Sequence, residues 1–150
     1  MHHYDYVVVG AGSAGSALAN RLSESGKFTV CLLEAGGSDK KFWVQMPLGY
    51  GKVFHDPSVN WRYMTEPEPN LDNQSVYWPR GKVLGGSSSI NAMVWVRGHK
   101  RDYDEWNSVA PGWGWDNVQK IFNRIENWDG TSDVSRGMNG PQAVHDVSSD

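Results

Sequence analysis

The sequence predicts an α/β fold, and three features near its start lead to that prediction. The apolar run from Val7 to Val9 has the composition of a short strand that is buried on both faces. Three glycines follow it at the spacing G-x-G-x-x-G: Gly10, Gly12 and Gly15. An alanine-rich stretch then leads to a second apolar run over residues 29–33. A strand, a glycine turn, a helix and another strand in this order are typical of a Rossmann-like unit that binds a dinucleotide.

Each glycine of the motif has its own physical reason. Gly10 permits the tight turn after the strand, and Gly12 lets a diphosphate approach the backbone because it has no Cβ. Gly15 allows the following helix to pack close to the sheet. The N-terminus of that helix presents free N–H groups, which favours an anion above Gly12.

The helix is expected to run from about Ser13 to Ser25, with Gly26 in the position of a C-cap glycine. Its apolar residues share one face at helical spacing: Ala14, Ala17, Leu18 and Leu22. Cys31, the single cysteine, lies in the second predicted strand. It can form no intrachain disulfide, and we interpret it as a small buried core residue.

Glu34 ends the second predicted strand, 19 residues after Gly15. A carboxylate at this place is suited to bind the hydroxyls of an adenosine ribose, and it would repel a ribose 2′-phosphate. The unit is therefore expected to bind the ADP half of a dinucleotide other than NADP. These residues alone leave open whether the other half is nicotinamide or flavin.

Length, charge and hydropathy bear on the possible partners and the cellular location of the protein. A chain of 150 residues with net charge −3 has no electrostatic footprint for nucleic acid. The first strand begins too early to leave room for a signal peptide, and no apolar run approaches the length of a membrane span. We therefore expect a cytoplasmic location, with peripheral membrane association as the alternative.

The middle of the chain departs from a simple β-α repeat. Residues 36–60 are rich in glycine and proline, which predicts a long excursion with one short helical turn. Residues 61–79 contain two short alternating segments with Pro67, Pro69 and Asn70 between them, and this pattern predicts a hairpin.

Residues 80–98 form the second informative stretch. Gly85 and Gly86 precede three serines, and such a turn exposes backbone that can bind phosphate or the polar edge of a ring. Asn91 adds both donors and acceptors. A flexible linker is the alternative, although apolar residues flank the run closely on both sides. We expect this turn to lie over the same pocket as the first glycine turn.

The last third of the chain predicts helices used for packing. Residues 101–107 indicate a short helix, and Asp116 is the expected N-cap of an amphipathic helix of about 12 residues. One face of the latter is expected to hold these apolar residues: Val118, Ile121, Phe122, Ile125 and Trp128. Residues 129–150 carry no clear signal.

Together the two glycine stretches resemble the glucose–methanol–choline (GMC) family of FAD-dependent oxidoreductases. The run Gly81-Lys82-x-Leu84-Gly85-Gly86-Ser87-Ser88-x-Ile90-Asn91, continuing to Trp95, Gly98 and Asp104, fits the first signature of the family. Gly10-Ala11-Gly12-Ser13-Ala14-Gly15 and Glu34-Ala35-Gly36 fit its nucleotide fingerprint. Trp61-x-Tyr63-x-Thr65-Glu66-Pro67 and Tyr77-x-Pro79-Arg80-Gly81 look most like the choline and aliphatic alcohol dehydrogenase branch.

The resemblance implies FAD as cofactor and gives each matching residue a role. The FAD diphosphate would be held by Gly10, Gly12, Ser13, Ala14 and Gly15. Glu34 would bind the adenosine ribose, with Ala35 beside it. The flavin and its ribityl-phosphate side would be lined by Arg80, Val83, Gly85, Gly86, Ser88, Asn91, Ala92, Met93 and Val94. Some family members carry a flavin-linked histidine where this chain has Ile90, so we expect non-covalent FAD.

The resemblance also implies that residues 1–150 are the N-terminal part of a Rossmann-like, GMC-type FAD-binding domain that is incomplete in this chain. Its nucleotide unit would be residues 4–36 and its flavin-contacting loop residues 80–98. The substrate domain and the C-terminal catalytic segment of the family have no counterpart here. None of the five histidines matches a catalytic position, so no catalytic residue and no metal ligand is assigned: His2, His3, His55, His99 and His145.

The implied activity is oxidation of an alcohol by hydride transfer to flavin N5. The implied partners are a small-molecule alcohol, an electron acceptor such as a quinone, a dye or O₂, and the remainder of the enzyme on a missing segment or another chain. Two alternatives stay open. The scaffold could serve as a hydroxynitrile lyase or fatty-acid photodecarboxylase, or the chain could be a non-catalytic nucleotide-binding fragment that needs a partner chain.

Overall fold

A computed structural model of the chain describes residues 2–131 and 133–146. The described chain forms two compact units, the first ending at Val94 and the second beginning at Trp95. The predicted flavin-contacting loop, residues 80–98, crosses this boundary, but every residue predicted to bind the cofactor lies in the first unit.

The first unit opens with the predicted β-α-β arrangement. Strand β1 (Tyr6–Val9) is followed by helix α1 (Ser13–Ser23) and strand β2 (Val30–Leu33). The two strands pair in parallel, from Tyr6 opposite Val30 to Val9 opposite Leu33. The predicted Rossmann-like start is confirmed, and the helix ends two residues earlier than expected. Gly26 has φ +68°, a left-handed conformation that glycine adopts at little cost after a helix.

The burial of this unit differs from the prediction. Val8 is buried, but its neighbours are not: Val9 is 82% exposed and Val7 is also exposed. Side chains alternate between the two faces of a strand, and α1 packs on only one face of this two-stranded sheet. Cys31, which pairs with Val7, is correspondingly only half-buried, so its prediction as a core residue was wrong.

Helix α1 buries a different face from the one predicted. Ala19 is its buried residue, with Gly15 and Leu22 half-buried, whereas Ala14, Ala17 and Leu18 are exposed. The close approach of α1 to β1 explains which helix face is buried. A Cβ added at Gly15 would lie 1.9 Å from the Gly10 carbonyl oxygen and 3.4 Å from a Val8 methyl carbon. The smallest side chains therefore face the sheet.

The excursion after β2 is more helical than expected. It contains α2 (Phe42–Gln45), a 3-10 turn at Pro47–Gly49 and α3 (Tyr50–Val53). Gly49 permits this tight folding, because a Cβ there would lie 2.1 Å from the carbonyl oxygen of Trp43. The excursion thus forms a small helical layer in place of one turn.

The predicted hairpin is confirmed. Strands β3 (Tyr63–Met64) and β4 (Tyr77–Trp78) pair antiparallel, and a 3-10 turn at Pro69–Leu71 lies between them. The main apolar cluster of the first unit lies where the excursion, the hairpin base and the serine-rich turn meet. Its members are Val53, Val59, Val83 and Ile90, with Val44 packed against them.

The second unit contains α4 (Lys100–Val109), α5 (Trp115–Ile125), β5 (Glu126–Trp128) and β6 (Gln142–Val144), and the two strands pair in parallel. Strand β6 lies within residues 129–150, where the sequence analysis found no clear pattern. Trp128 was wrongly placed on the helix, because α5 ends at Ile125 and Trp128 belongs to β5.

The start of α5 also differs from the prediction. Gly114 is its N-cap and Asp116 lies in the first turn, where a carboxylate favours the helix dipole. The N–H of Trp115 donates instead to the Asp104 carboxylate on α4, at 3.1 Å. A side chain from another helix therefore supplies the cap that local sequence assigned to Asp116. None of the helices in the part of the chain that the structure describes could cross a membrane.

Candidate cofactor-binding site

The turn between β1 and α1 has the geometry that an anion site requires. Gly10 has φ +95°, and its N–H donates to the Leu33 carbonyl of β2 at 2.7 Å. The first N–H groups of α1, among them those of Ser13 and Ala14, have no acceptor within the helix. A Cβ added at Gly12 would meet nothing closer than 3.9 Å, so the space beside this residue is open.

The two glycine turns lie in direct contact, as the sequence analysis expects. Gly12 pairs with Gly85 as an isolated parallel bridge, and the Gly85 N–H donates to the Ala11 carbonyl at 2.8 Å. A Cβ on Gly86 would lie 2.9 Å from the Gly12 Cα. Side chains are excluded at this contact, so the two turns present one continuous surface of bare backbone.

Glu34 has a structural role that the sequence analysis missed. Its Oε2 accepts the N–H of Ala11 at 2.8 Å, and its Oε1 accepts the N–H of Gly36 at 2.8 Å. The carboxylate thus ties the end of β2 to the first glycine turn. Each oxygen retains a further lone pair, so the predicted contact with a ribose stays compatible with this arrangement.

The serine-rich turn is an ordered 3-10 turn, Gly86–Ser89, and not a flexible linker. Gly85 and Gly86 have φ +87° and +60°. The hydroxyls hold the turn itself, because Ser88 donates to the Gly85 carbonyl at 2.6 Å and Ser87 accepts the Gly81 N–H at 3.1 Å. These hydroxyl oxygens retain accepting capacity, while the bare backbone of the glycines supplies the open surface.

The remaining predicted residues divide into backbone and side-chain candidates. Val83 is fully buried in the core, so only its backbone can face a ligand. The Arg80 guanidinium lies over the Trp78 ring at 5.0 Å. Residues 91–94 are exposed, and the Asn91 Oδ1 accepts the N–H of Met93, which has φ +60°. Ala35 is exposed beside Glu34.

A cavity of about 120 Å³ adjoins the serine-rich turn. Three predicted residues line it, namely Ser88, Asn91 and Met93. Trp43 and Tyr50 line the same cavity from the helical excursion. Sequence reasoning missed both, because nothing in residues 39–53 forms a motif and only the fold brings that segment to the turn.

Ile90 lies in the main apolar cluster and is 3% exposed. It occupies the position at which a flavin-linked histidine would stand. An isoleucine has no nucleophilic atom, so the local chemistry agrees with the expectation of non-covalent cofactor.

The fold and the site define the class of protein as an α/β dinucleotide-binding protein. The family model described as GMC oxidoreductase matches residues 4–148, which is nearly the whole chain. The chain therefore belongs to the GMC oxidoreductase family, whose members bind FAD.

Individual relatives agree with this assignment. The chain is 52% identical to an oxygen-dependent choline dehydrogenase of Vibrio vulnificus over 140 residues, which are 93% of this chain and 25% of that protein. A pyridoxine 4-oxidase from Mesorbium loti superposes with a TM-score of 0.86 at 36% identity, over 94% of this chain and 28% of that one. A formate oxidase from Aspergillus oryzae superposes with a TM-score of 0.83 at 28% identity, over 95% of this chain and 26% of that one. The chain spans about a quarter of the length of these relatives.

Proposed function

We propose that this chain is the FAD-binding portion of an oxidoreductase that oxidises a small-molecule alcohol. One observation supports this most strongly, namely the contact between Gly12 and the Gly85–Gly86 turn. One surface of bare backbone, with the α1 N-terminus on one side and residues 88–94 on the other, suits a long ligand with a diphosphate in its middle. The names of the relatives, which include choline dehydrogenase, support an alcohol as substrate.

The residues of this chain would bind and orient the cofactor. The backbone N–H groups of Gly12, Ser13 and Ala14 would donate hydrogen bonds to the diphosphate, and Glu34 would fix the adenosine end. The exposed backbone and the amide of Asn91 would orient the flavin end. Bound FAD would supply the hydride acceptor at N5, and an acceptor such as a quinone, a dye or O₂ would then regenerate it.

No proton-transfer residue is proposed within this chain. The histidines with described contacts serve its structure: His99 Nδ1 accepts the N–H of Arg101 at the start of α4, His55 stacks on Tyr77, and His145 pairs with Asp129. We infer that the base that removes the hydroxyl proton belongs to the remainder of the enzyme. The 150 residues alone are then expected to bind FAD without turnover.

The exposed face of β1 favours an accompanying hypothesis. Val7, Val9 and Leu33 are exposed on a two-stranded sheet, and such apolar surface is normally covered by further structure. We therefore propose that the chain works together with further polypeptide, on the same chain or on another. This would also hold for a non-catalytic fragment that only binds the nucleotide.

The activity is tested by alcohol-dependent bleaching of the flavin. The FAD-loaded protein, with the remainder of the enzyme present, is mixed in the dark with a panel of alcohols and an artificial electron acceptor. Bleaching followed by dye reduction is expected for at least one alcohol. Cleavage of a cyanohydrin, or decarboxylation of a fatty acid only under light, without alcohol-dependent bleaching, would replace the proposal with a lyase or photodecarboxylase. Dye reduction by the 150 residues alone would refute the inferred external base.

A further inference from the structure

Asn60 is a buried side chain that joins three separate segments of the first unit. It is 2% exposed. Its Oδ1 accepts the N–H of Arg62 at 2.9 Å and the N–H of Arg80 at 3.0 Å. Its Nδ2 donates to the Phe54 carbonyl at 2.8 Å. Both ends of the amide are therefore in use, and the side chain fixes the place where the chain enters and leaves the hairpin.

The backbone beside Asn60 forms a short antiparallel pairing with the start of the serine-rich stretch. The Trp61 N–H donates to the Arg80 carbonyl at 2.9 Å, and the Lys82 N–H donates to the Val59 carbonyl at 2.7 Å. Asn60 and Gly81 form an isolated antiparallel bridge between these two bonds. The position of Gly81 is consequently set by the segment that contains Asn60.

Gly81 in turn contacts the glycine surface of the candidate site. Its N–H donates to the Ser87 hydroxyl at 3.1 Å, and a Cβ on Gly81 would lie 2.2 Å from the Gly86 carbonyl carbon. Gly86 lies against Gly12. Close contacts therefore connect Asn60, through Gly81, to the place where the two glycine turns meet.

Arg62 shows why this position needs a side-chain acceptor. Its φ is +55°, which a residue with a long side chain adopts rarely and at a cost. The hydrogen bond from its N–H to Asn60 offsets that cost. Without the amide, the segment can relax, and the part-buried N–H of Arg80 also loses its acceptor.

We propose that Asn60 is a positioning residue for the flavin end of the site, an inference that rests on the proposed function of FAD binding. It acts through the backbone of Arg80 and Gly81, and no direct contact with the ligand is assigned to Asn60 itself. The ADP end is held by other contacts, namely the Gly10 N–H to Leu33 and the Ala11 N–H to Glu34. A change at Asn60 should therefore affect the two ends of the cofactor unequally.

The test compares the affinities for FAD and ADP of the wild-type protein and its variants, each first freed of bound FAD. Asn60→Ala removes the shared acceptor of two part-buried N–H groups, so we expect FAD affinity to fall by about 10- to 100-fold. ADP affinity should stay unchanged, and the visible circular dichroism of bound FAD should change. Asn60→Asp keeps the acceptor but places a carboxylate oxygen against the Phe54 carbonyl, so its FAD affinity should also fall below that of wild type while its ADP affinity stays unchanged. Asn70 is an exposed asparagine at the hairpin tip, and Asn70→Ala is the matched control, which should change the affinity for neither ligand.

Equal weakening of FAD and ADP, or unchanged FAD affinity and dichroism, would overturn the role of Asn60. If Asn60→Ala does not fold, the FAD-to-ADP comparison in Asn60→Asp decides in the same way. Failure of the wild-type protein to bind FAD would reject the proposed function itself, which separates the two failures.

Discussion

At the scale of single residues, the absence of a side chain at Gly12 is the feature on which the site depends. The nearest atom to an added Cβ is the Gly86 Cα at 3.9 Å, and the backbone of Gly12 is extended with φ −76°. An alanine therefore fits the protein without strain. The space that its methyl group would take is the space that we assign to the diphosphate.

Gly12→Ala should accordingly separate binding from folding. We expect the melting temperature to stay near that of wild type while FAD affinity falls at least about tenfold, because backbone approach to a diphosphate requires glycine here. Titration of FAD by flavin fluorescence measures the loss. Gly51→Ala, where an added Cβ meets nothing within 4 Å, is the control that should bind normally. Normal FAD binding by Gly12→Ala would contradict the assignment.

Ile90 gives a second prediction at this scale. Ile90 stands where some family members carry a flavin-linked histidine, and it has no nucleophilic atom. Acid precipitation of the FAD-loaded protein should therefore release all of the yellow colour into the supernatant. The absorbance of supernatant and pellet measures the partition. Colour that stays on the denatured pellet would show covalent attachment and contradict the assignment of non-covalent FAD.

At the scale of elements, one pair of side chains closes the start of the parallel sheet. The Asp5 carboxylate accepts the Thr29 N–H at 2.7 Å and the Thr29 hydroxyl at 2.8 Å. These bonds, the N–H first, lower the pKa of Asp5 below its usual 3.8. They join the residue before β1 to the residue before β2.

The lowered pKa predicts an acid-sensitive sheet. A carboxyl whose folded pKa is depressed adds stability that is complete above the unfolded value of 3.8 and is lost as the pH falls through the lower folded pKa. Thermal melts between neutral and acidic pH should therefore show a larger gap between wild type and Asp5→Asn above pH 3.8 than below it. A gap that is constant with pH would contradict this role of Asp5.

The second unit is organised around a buried carboxylate. Glu126 is 0% exposed, its Oε1 lies 2.7 Å from an Arg136 guanidinium nitrogen and 3.0 Å from the Trp95 indole nitrogen, and Arg97 pairs with its Oε2. The Gly137 N–H also donates to Oε2, at 3.1 Å. One side chain thus connects three segments of the unit, namely residues 95–97, strand β5 and residues 136–137.

Removing the negative charge of Glu126 should strongly lower the stability of the protein. Glu126→Gln keeps the volume but leaves two arginines without their counter-ion, so we expect the free energy of unfolding to fall by about 3–5 kcal/mol. Glu105→Gln breaks the exposed pair with Arg101 and should cost only about 0–1 kcal/mol. Urea denaturation of both variants measures the difference. Similar small losses in the two would show that the Glu126 cluster adds little.

Local patterns predicted some of these elements well and others poorly. The β-α-β unit and the hairpin were predicted because their signals, the glycine spacing and the turn residues, lie within the elements themselves. The buried face of α1 was not, because a close helix–sheet approach selects Gly15 and Ala19 over larger residues. The start of α5 was mislocated for a related reason, since its cap comes from Asp104 on another helix.

The same distinction holds for the site. The sequence predicted both glycine turns, but it could not show that Glu34 supports the first turn or that Trp43 and Tyr50 reach the second. Nor did any pattern indicate Asn60, whose importance comes from three partners that are distant along the chain. Motifs indicate the positions at which a side chain must be absent. The contacts that support those positions come from residues that only the fold brings together, so the motifs do not indicate them.

At the scale of the whole molecule, we expect one ligand to bind along both glycine turns. Titration calorimetry of the protein with FAD, ADP and NAD⁺ under one set of conditions tests this most directly. We predict that FAD binds at least about tenfold more tightly than ADP, because the flavin end adds contacts at residues 80–94, and that NAD⁺ binds more weakly than FAD. Binding of NAD⁺ as tight as that of FAD, or equal affinities for FAD and ADP, would contradict the account.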